Sequence, residues 1–112
     1  MRKIIIDTDT ATDDAVAIMM ALKNDHFNIK AITTVAGNVD LNQATSNALY
    51  TCELCEKYIP VYKGESHPLK RKLETSKFFH GKDGLGDTGP YIPSKLAESE
   101  NAINEIRSVI NI

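Results

Sequence analysis

Four aspartates fall within eight residues near the start of the chain: Asp7, Asp9, Asp13 and Asp14. Carboxylates this close repel one another, which raises some of their pKa values unless a cation offsets the charge. An all-oxygen donor set suits a hard cation such as Ca²⁺ or Mg²⁺. The expected glycine and distal glutamate of an EF-hand are missing, so that loop type does not account for the spacing. Asp13 and Asp14 also suit the first turn of a helix, where acids meet free N–H groups and the favourable end of the dipole. That role leaves Asp7 and Asp9 unexplained, and the spacing favours a metal site.

The elements that must carry these residues read as alternating strands and helices. Arg2 to Ile6 is a short apolar run closed by acids, as in a buried strand. From Ala15, the residues Ala15, Ile18, Met19 and Leu22 form the stripe of an amphipathic helix, closed by Asn24-Asp25. Ile29 to Val35 reads as a second strand, rich in β-branched residues. After the turn at Ala36 to Val39, Asp40 and Gln43 resemble a capping box. The helix it starts is expected to run to about Tyr58, with Leu41, Ala44, Ala48, Cys52 and Cys55 on one face. Ile59 to Tyr62 is a third, weaker strand. Lys63 to Pro93 holds five of the six glycines and three of the four prolines, and reads as a long loop, of a length that is usually functional or disordered. A helical pattern returns from Ser99, with Ile103, Ile106 and Ile110 on one side.

This order predicts an α/β fold: a Rossmann-like parallel sheet with flanking helices and right-handed crossovers. Three strands give little core for three helices, so the expectation is an incomplete βαβαβα portion of a larger domain. In such sheets ligands bind outside the carboxyl ends of the strands. Three polar clusters fall there: the aspartates after the first strand, Gly37-Asn38 after the second, and the loop with His80 after the third.

Composition narrows the function classes. The chain has 112 residues, 28 of them charged, with a formal net charge of -2. A near-neutral balance offers no footprint for nucleic acid or an anionic membrane surface. The longest apolar run, Ala15 to Leu22, is far short of the roughly 20 residues of a membrane-spanning helix. The start has no apolar stretch of the secretory kind. Two cysteines make no disulfide framework, so a cytoplasmic location is the expectation. Cys52 and Cys55 form a C-x-x-C, but inside a helix and without two further ligands they are expected in the core. A lone loop histidine such as His80 is by default partly exposed. His26 and His67 are expected at the surface.

The segment Ile4-Ile5-Ile6-Asp7-Thr8-Asp9-Thr10-Ala11-Thr12-Asp13-Asp14-Ala15 resembles the DxDxxxDD signature of the inosine-uridine preferring nucleoside hydrolases. Val35-Ala36-Gly37-Asn38-Val39 is similar to the family's segment after the second strand, and His80-Gly81-Lys82-Asp83-Gly84-Leu85-Gly86 to its HGxDGLG loop. The resemblance spans residues 1–112 and implies the N-terminal part of a nucleoside hydrolase-like α/β domain. Thr10-Ala11 stands where the family usually has Pro-Gly.

By resemblance, Asp9 and Asp14 would bind Ca²⁺, and Asp9 would take a proton from the water that attacks the ribose anomeric carbon. Asp13 and Asn38 would hold ribose hydroxyls or orient the water. His80 would contact the nucleobase, and Asp7 would steady the loop from behind. The implied reaction frees ribose and base from a ribonucleoside through an oxocarbenium-like state. Later family segments supply a backbone carbonyl and a further aspartate to the metal, together with sugar- and base-binding residues. None of these, nor an acid for the leaving group, is among these residues. The expectation is therefore that this chain alone is inactive, and that it forms a homo-oligomer or associates with a missing C-terminal part. Two alternatives stand beside this reading. A haloacid-dehalogenase-like phosphatase would use Asp7 as nucleophile and Asp9 as general acid, which leaves Asp13-Asp14 and the glycine-rich loop unexplained. A non-catalytic truncated or split fragment is the other.

Overall fold

A computed structural model describes residues 1–111 of the chain. Strand β1 (Arg2–Thr8), helix α1 (Thr12–Leu22), strand β2 (Phe27–Thr34), helix α2 (Leu41–Leu54) and strand β3 (Val61–Lys63) follow in order. A single helical turn α3 (Lys77–His80) and helix α4 (Ala102–Ile110) complete the described elements. The three strands form a parallel sheet in the order β1-β2-β3. Two successive crossovers of the same hand place both connecting helices on one face of such a sheet. Accordingly α1 and α2 pack on each other and on the strands, whereas α4 packs on β2 and β3 from the opposite face.

The core lies between the sheet and the α1–α2 layer. Ile18 and Leu22 of α1 meet Ala48, Leu49 and Cys52 of α2 over Ile32 and Val61, with Ile6, Ile29, Cys55 and Ile59 packed around them. Burying an Ile or Val of this kind contributes about 1.5–3 kcal/mol. Ile29 and Ile32 are three residues apart, so a regular strand would turn them to opposite faces. The β1–β2 register slips between Ile4 and Ile5, leaving Lys30 without a partner. That bulge brings both isoleucines to the core side.

Several boundaries differ from the sequence reading. Strand β1 continues two residues past Ile6 to Thr8, so Asp7 is part of the strand. Helix α1 starts at Thr12 rather than Ala15, placing Asp13 and Asp14 in its first turn. Strand β2 covers Phe27–Thr34 and β3 only Val61–Lys63. Helix α2 stops at Leu54, short of Tyr58. Glu56 takes a left-handed φ of 54°, and the amides of Glu56 and Lys57 close back onto the carbonyls of Glu53 and Cys52. This is a Schellman ending without the usual glycine. Asp40 does cap α2, accepting from the Gln43 amide at 2.8 Å, but the Gln43 side chain turns to Asn47 instead of completing the box. Helix α4 begins at Ala102, capped by Asn101. His26 and His67 are exposed, Cys52 is buried, and Cys55 is half-buried beside it.

Candidate active site

The strand ends line up. Thr8 pairs with Thr34, and Thr34 with Lys63, so the segments leaving β1, β2 and β3 emerge side by side at one edge of the sheet. Between β1 and β2 the pairing continues one step further, through the Val35 amide on the Thr8 carbonyl at 3.1 Å. This register brings Asp9 beside the turn after β2. The Asn38 amide donates to Asp9 Oδ2 at 2.9 Å. A Cβ on Gly37 would stand 2.3 Å from the same oxygen, so only glycine admits the Asp9 carboxylate there.

Asp14 lies in the first turn of the helix that follows, half-buried, and its Oδ2 is buried without a hydrogen-bond partner. Burial pushes its carboxyl above the usual carboxylate range, and the nearby Asp9 and Asp13 push it further. An unsatisfied buried acceptor normally carries a free-energy cost. Flanked by other carboxylates, it is the signature of a group arranged for a positive charge. The donor set is oxygen only, as hard cations prefer. Asp9 and Asp14 thus fit part of a cation's shell. Among the described residues, no three His, Cys, Asp or Glu side chains converge on one point, so the remaining ligands are not side chains of those types from this segment.

Asp13 is exposed on the outer side of the same turn. Asp7 accepts the Thr33 hydroxyl at 2.7 Å, across the β1–β2 register. Asp14 lines an open cleft of roughly 300 Å³ between β1 and α1, together with Ile6, Thr8 and Ile18. Asn38 is half-buried and held twice by Ser76, whose amide donates to its carbonyl at 2.9 Å and whose hydroxyl donates to its Oδ1. His80 closes the single turn α3, and its Nδ1 is hydrogen-bonded to the Thr12 hydroxyl at 2.8 Å. All the residues expected at a site therefore gather at the carboxyl edge of the sheet, with His80 joined through Thr12 to the helix bearing Asp13 and Asp14.

The loop from His80 to Gly86 is built on itself. Asp83 Oδ1 accepts from the amides of Leu85 and Asp87 at 2.8 and 3.0 Å. Gly84 has φ of +77°, and a Cβ there would meet Val39 at 2.9 Å. The geometry thus explains a glycine at this position twice over.

These features match known proteins. The model of the inosine-uridine preferring nucleoside hydrolase family matches residues 4–112. The chain belongs to this family. It is 43% identical over 102 residues to uridine nucleosidase 1 of Arabidopsis thaliana, covering 89% of this chain and 30% of that protein. It is 40% identical over 107 residues to a pyrimidine-specific ribonucleoside hydrolase of Escherichia coli, covering 94% of this chain and 34% of that one. Among solved structures, the purine-preferring ribonucleoside hydrolase from Gardnerella vaginalis superposes with a TM-score of 0.91 at 36% identity. That match covers 98% of this chain and 36% of the other. The chain therefore spans about a third of the length of these family members. The relatives are N-glycosyl hydrolases by name, and the family is consistent with a metal cofactor.

Four residues at the site escaped the sequence reading. Thr12 and Ser76 fix His80 and Asn38, as described. Asn47 of α2 is buried, and its Nδ2 donates to the carbonyls of Thr10 and Asp83 at 3.0 and 2.7 Å. Gln43 donates to Asn47 Oδ1 at 2.9 Å. Gln43, Asn47 and Thr51 stand at i, i+4 and i+8, a polar row beside the apolar stripe of α2. A polar row on a helix flank adjoining its buried stripe was the available signal.

Proposed function

We propose that this chain is the N-terminal part of a nucleoside hydrolase that cleaves the N-glycosidic bond of ribonucleosides to ribose and free base, with Ca²⁺ as cofactor. The observation that carries the reading is the partnerless, buried Asp14 Oδ2 beside Asp9 in a chain matched by the family model over residues 4–112. Asp9 and Asp14 would hold the cation. When bound, such an ion would polarise a water and lower its pKa, so that a nearby carboxylate can take the proton.

The rest of the chemistry falls to the chain's own groups. Asp9 accepts the proton that water loses as it attacks the anomeric carbon. The Asn38 amide on Oδ2 fixes the direction in which that carboxylate presents its lone pairs. Asp13 and Asn38 take ribose hydroxyls, and His80 faces the base. Asp7, bonded to Thr33, holds the end of β1 under Asp9. The rate of such a reaction depends on holding reactants in line, a requirement that several segments must meet together.

Two cation ligands are fewer than the 6–8 oxygens of a Ca²⁺ shell, so the 112-residue chain alone is proposed to have negligible activity. Its exposed Ile103 and Ile110 on α4 favour association, with a second copy or with further family segments. Among the described residues no helix is long and apolar enough to cross a membrane. The two unpaired thiols, Cys52 and Cys55, suit a reducing, cytoplasmic setting. Nothing in the site favours the phosphatase alternative, since the would-be nucleophile Asp7 is committed to Thr33 in the sheet.

The test is an assay of the full polypeptide carrying this sequence against inosine, uridine and a small phosphate ester, with Ca²⁺ or with chelator. Release of ribose that stops on chelation is the expected result. Phosphate release without nucleoside cleavage, or nucleoside cleavage indifferent to chelation, would overturn the assignment.

A further inference from the structure

We propose that Asn47 is a positioning residue that locks the His80–Gly86 loop against the aspartate loop, and so sets the site's affinity for its substrate. The inference rests on the nucleoside hydrolase reading for its consequence, though not for its geometry. Asn47 lies on α2, outside the three short motifs at the aspartate loop, Val35–Val39 and His80–Gly86, and is only 3% exposed. Its one amide nitrogen serves two carbonyls from segments more than 70 residues apart in the chain, Thr10 and Asp83. Thr10 directly follows Asp9, and Asp83 lies three residues beyond His80. Both N–H groups of the side chain are therefore spent holding the two halves of the site at one separation.

Two further contacts make the tie specific. Gln43 occupies the Asn47 oxygen, which fixes the orientation of the amide so that the nitrogen faces the loops. On the loop side, Gly84 rests on the same nitrogen, where an added Cβ would stand 3.2 Å away. A shorter side chain at position 47 would take the donor from the buried Thr10 carbonyl and from the part-buried Asp83 carbonyl. A bulkier one at position 84 would prise the loop off α2. Among the described residues, the loop's other side-chain hydrogen bond to the body of the protein is that between Thr12 and His80. Removing the Asn47 tie should therefore let the loop open locally without unfolding the sheet.

The experiment compares Asn47→Ala with Thr51→Val in the full polypeptide. Thr51 is an equally buried polar residue of α2 whose hydroxyl reaches only its own helix, at the Asn47 carbonyl. In Asn47→Ala the amides of Asp83, Gly84, Leu85 and Gly86 should exchange with solvent about 5-fold faster or more, with strand amides unchanged. KM for a nucleoside should rise while kcat falls less. Thr51→Val should change neither the loop amides nor KM. Gly84→Ala disturbs the tie from the loop side, and the same local exchange and KM changes are expected if Asn47→Ala does not fold. Exchange that rises evenly over the whole chain, or loop amides unchanged in both variants, would overturn the proposal. If the wild-type polypeptide cleaves no nucleoside, the functional reading fails, and the exchange data still decide whether Asn47 holds the loop.

Discussion

The two loops that form the site are held in opposite ways. The aspartate loop is short, and its ends are regular structure: Asp7 is a strand residue paired across the sheet, and Asp13 and Asp14 are already helical. Its geometry is inherited from the β1–α1 packing. The His80–Gly86 loop comes from a long irregular stretch, and its position depends on separate clasps: Thr12 on His80, Asn47 on the Asp83 carbonyl, and Asp83 on its own neighbouring amides. Groups that must tolerate charge crowding stand on the rigid support, where reorganisation is smallest. His80, the group proposed to meet the base, stands on the part that single hydrogen bonds can adjust.

The difference predicts unequal responses to substitution, and the largest belongs to Asp9. It is assigned two jobs, cation ligand and proton acceptor. Asp9→Asn keeps one oxygen, which the cation or the Asn38 amide can use, but removes charge and basicity. In the full polypeptide at saturating Ca²⁺, kcat is expected to fall by about 10²–10⁴-fold. Steady-state kinetics against a purine and a pyrimidine nucleoside check this. Full recovery of turnover at saturating Ca²⁺ would leave Asp9 a ligand only.

How far the sequence revealed this site follows the same division. The strand–helix alternation, the polar strand ends and the aspartate spacing are local patterns, and all were legible. Boundaries failed where a local rule has two outcomes. Asp7 looks like a strand breaker, yet at this edge strand the alternation of Ile6, Asp7 and Thr8 places the acid on the side away from the α1–α2 core. Glu56 in a left-handed conformation ends α2 without the glycine that would have signalled it. The turn α3 is only four residues long and leaves no periodicity to detect. The polar row on α2 marks Asn47, but what it holds was out of reach for a different reason. Its partners lie 37 and 36 residues away, and only the register of the sheet brings them together.

A smaller effect is expected at Asp14, and it reads the electrostatics of the rigid loop directly. The carboxyl is raised above its ordinary value, chiefly by burial and then by Asp9. A raised native pKa means that the fold favours the protonated form. The group's stability contribution is then greatest below its unfolded pKa and is lost as pH rises through the native one. At neutral pH, with chelator present, Asp14→Asn should therefore melt at a higher temperature than the wild type. The gap should close on acidification, once the wild-type carboxyl is itself protonated. Adding Ca²⁺ should stabilise the wild type and not the variant. A variant that melts lower at every pH in chelator would mean that the carboxylate is satisfied without a cation.

The smallest effect is expected at Thr12, where the rigid loop's helix reaches the adjustable one. Thr12→Val removes the hydroxyl that meets His80 Nδ1 while keeping the β-branched shape at the first position of α1. A hydrogen bond between groups that water can reach contributes about 0.5–1.5 kcal/mol. KM is therefore expected to rise about 2- to 10-fold, with kcat and melting temperature nearly unchanged. The His80 ring should also lose its fixed orientation, visible as altered ring ¹⁵N shifts. The two loops would then differ as the comparison requires: charge on the rigid one governs turnover, and a single neutral bond on the other tunes affinity. If Thr12→Val instead lowers kcat as far as Asp9→Asn does, His80 takes part in the chemical step, and the division of labour between the loops is wrong.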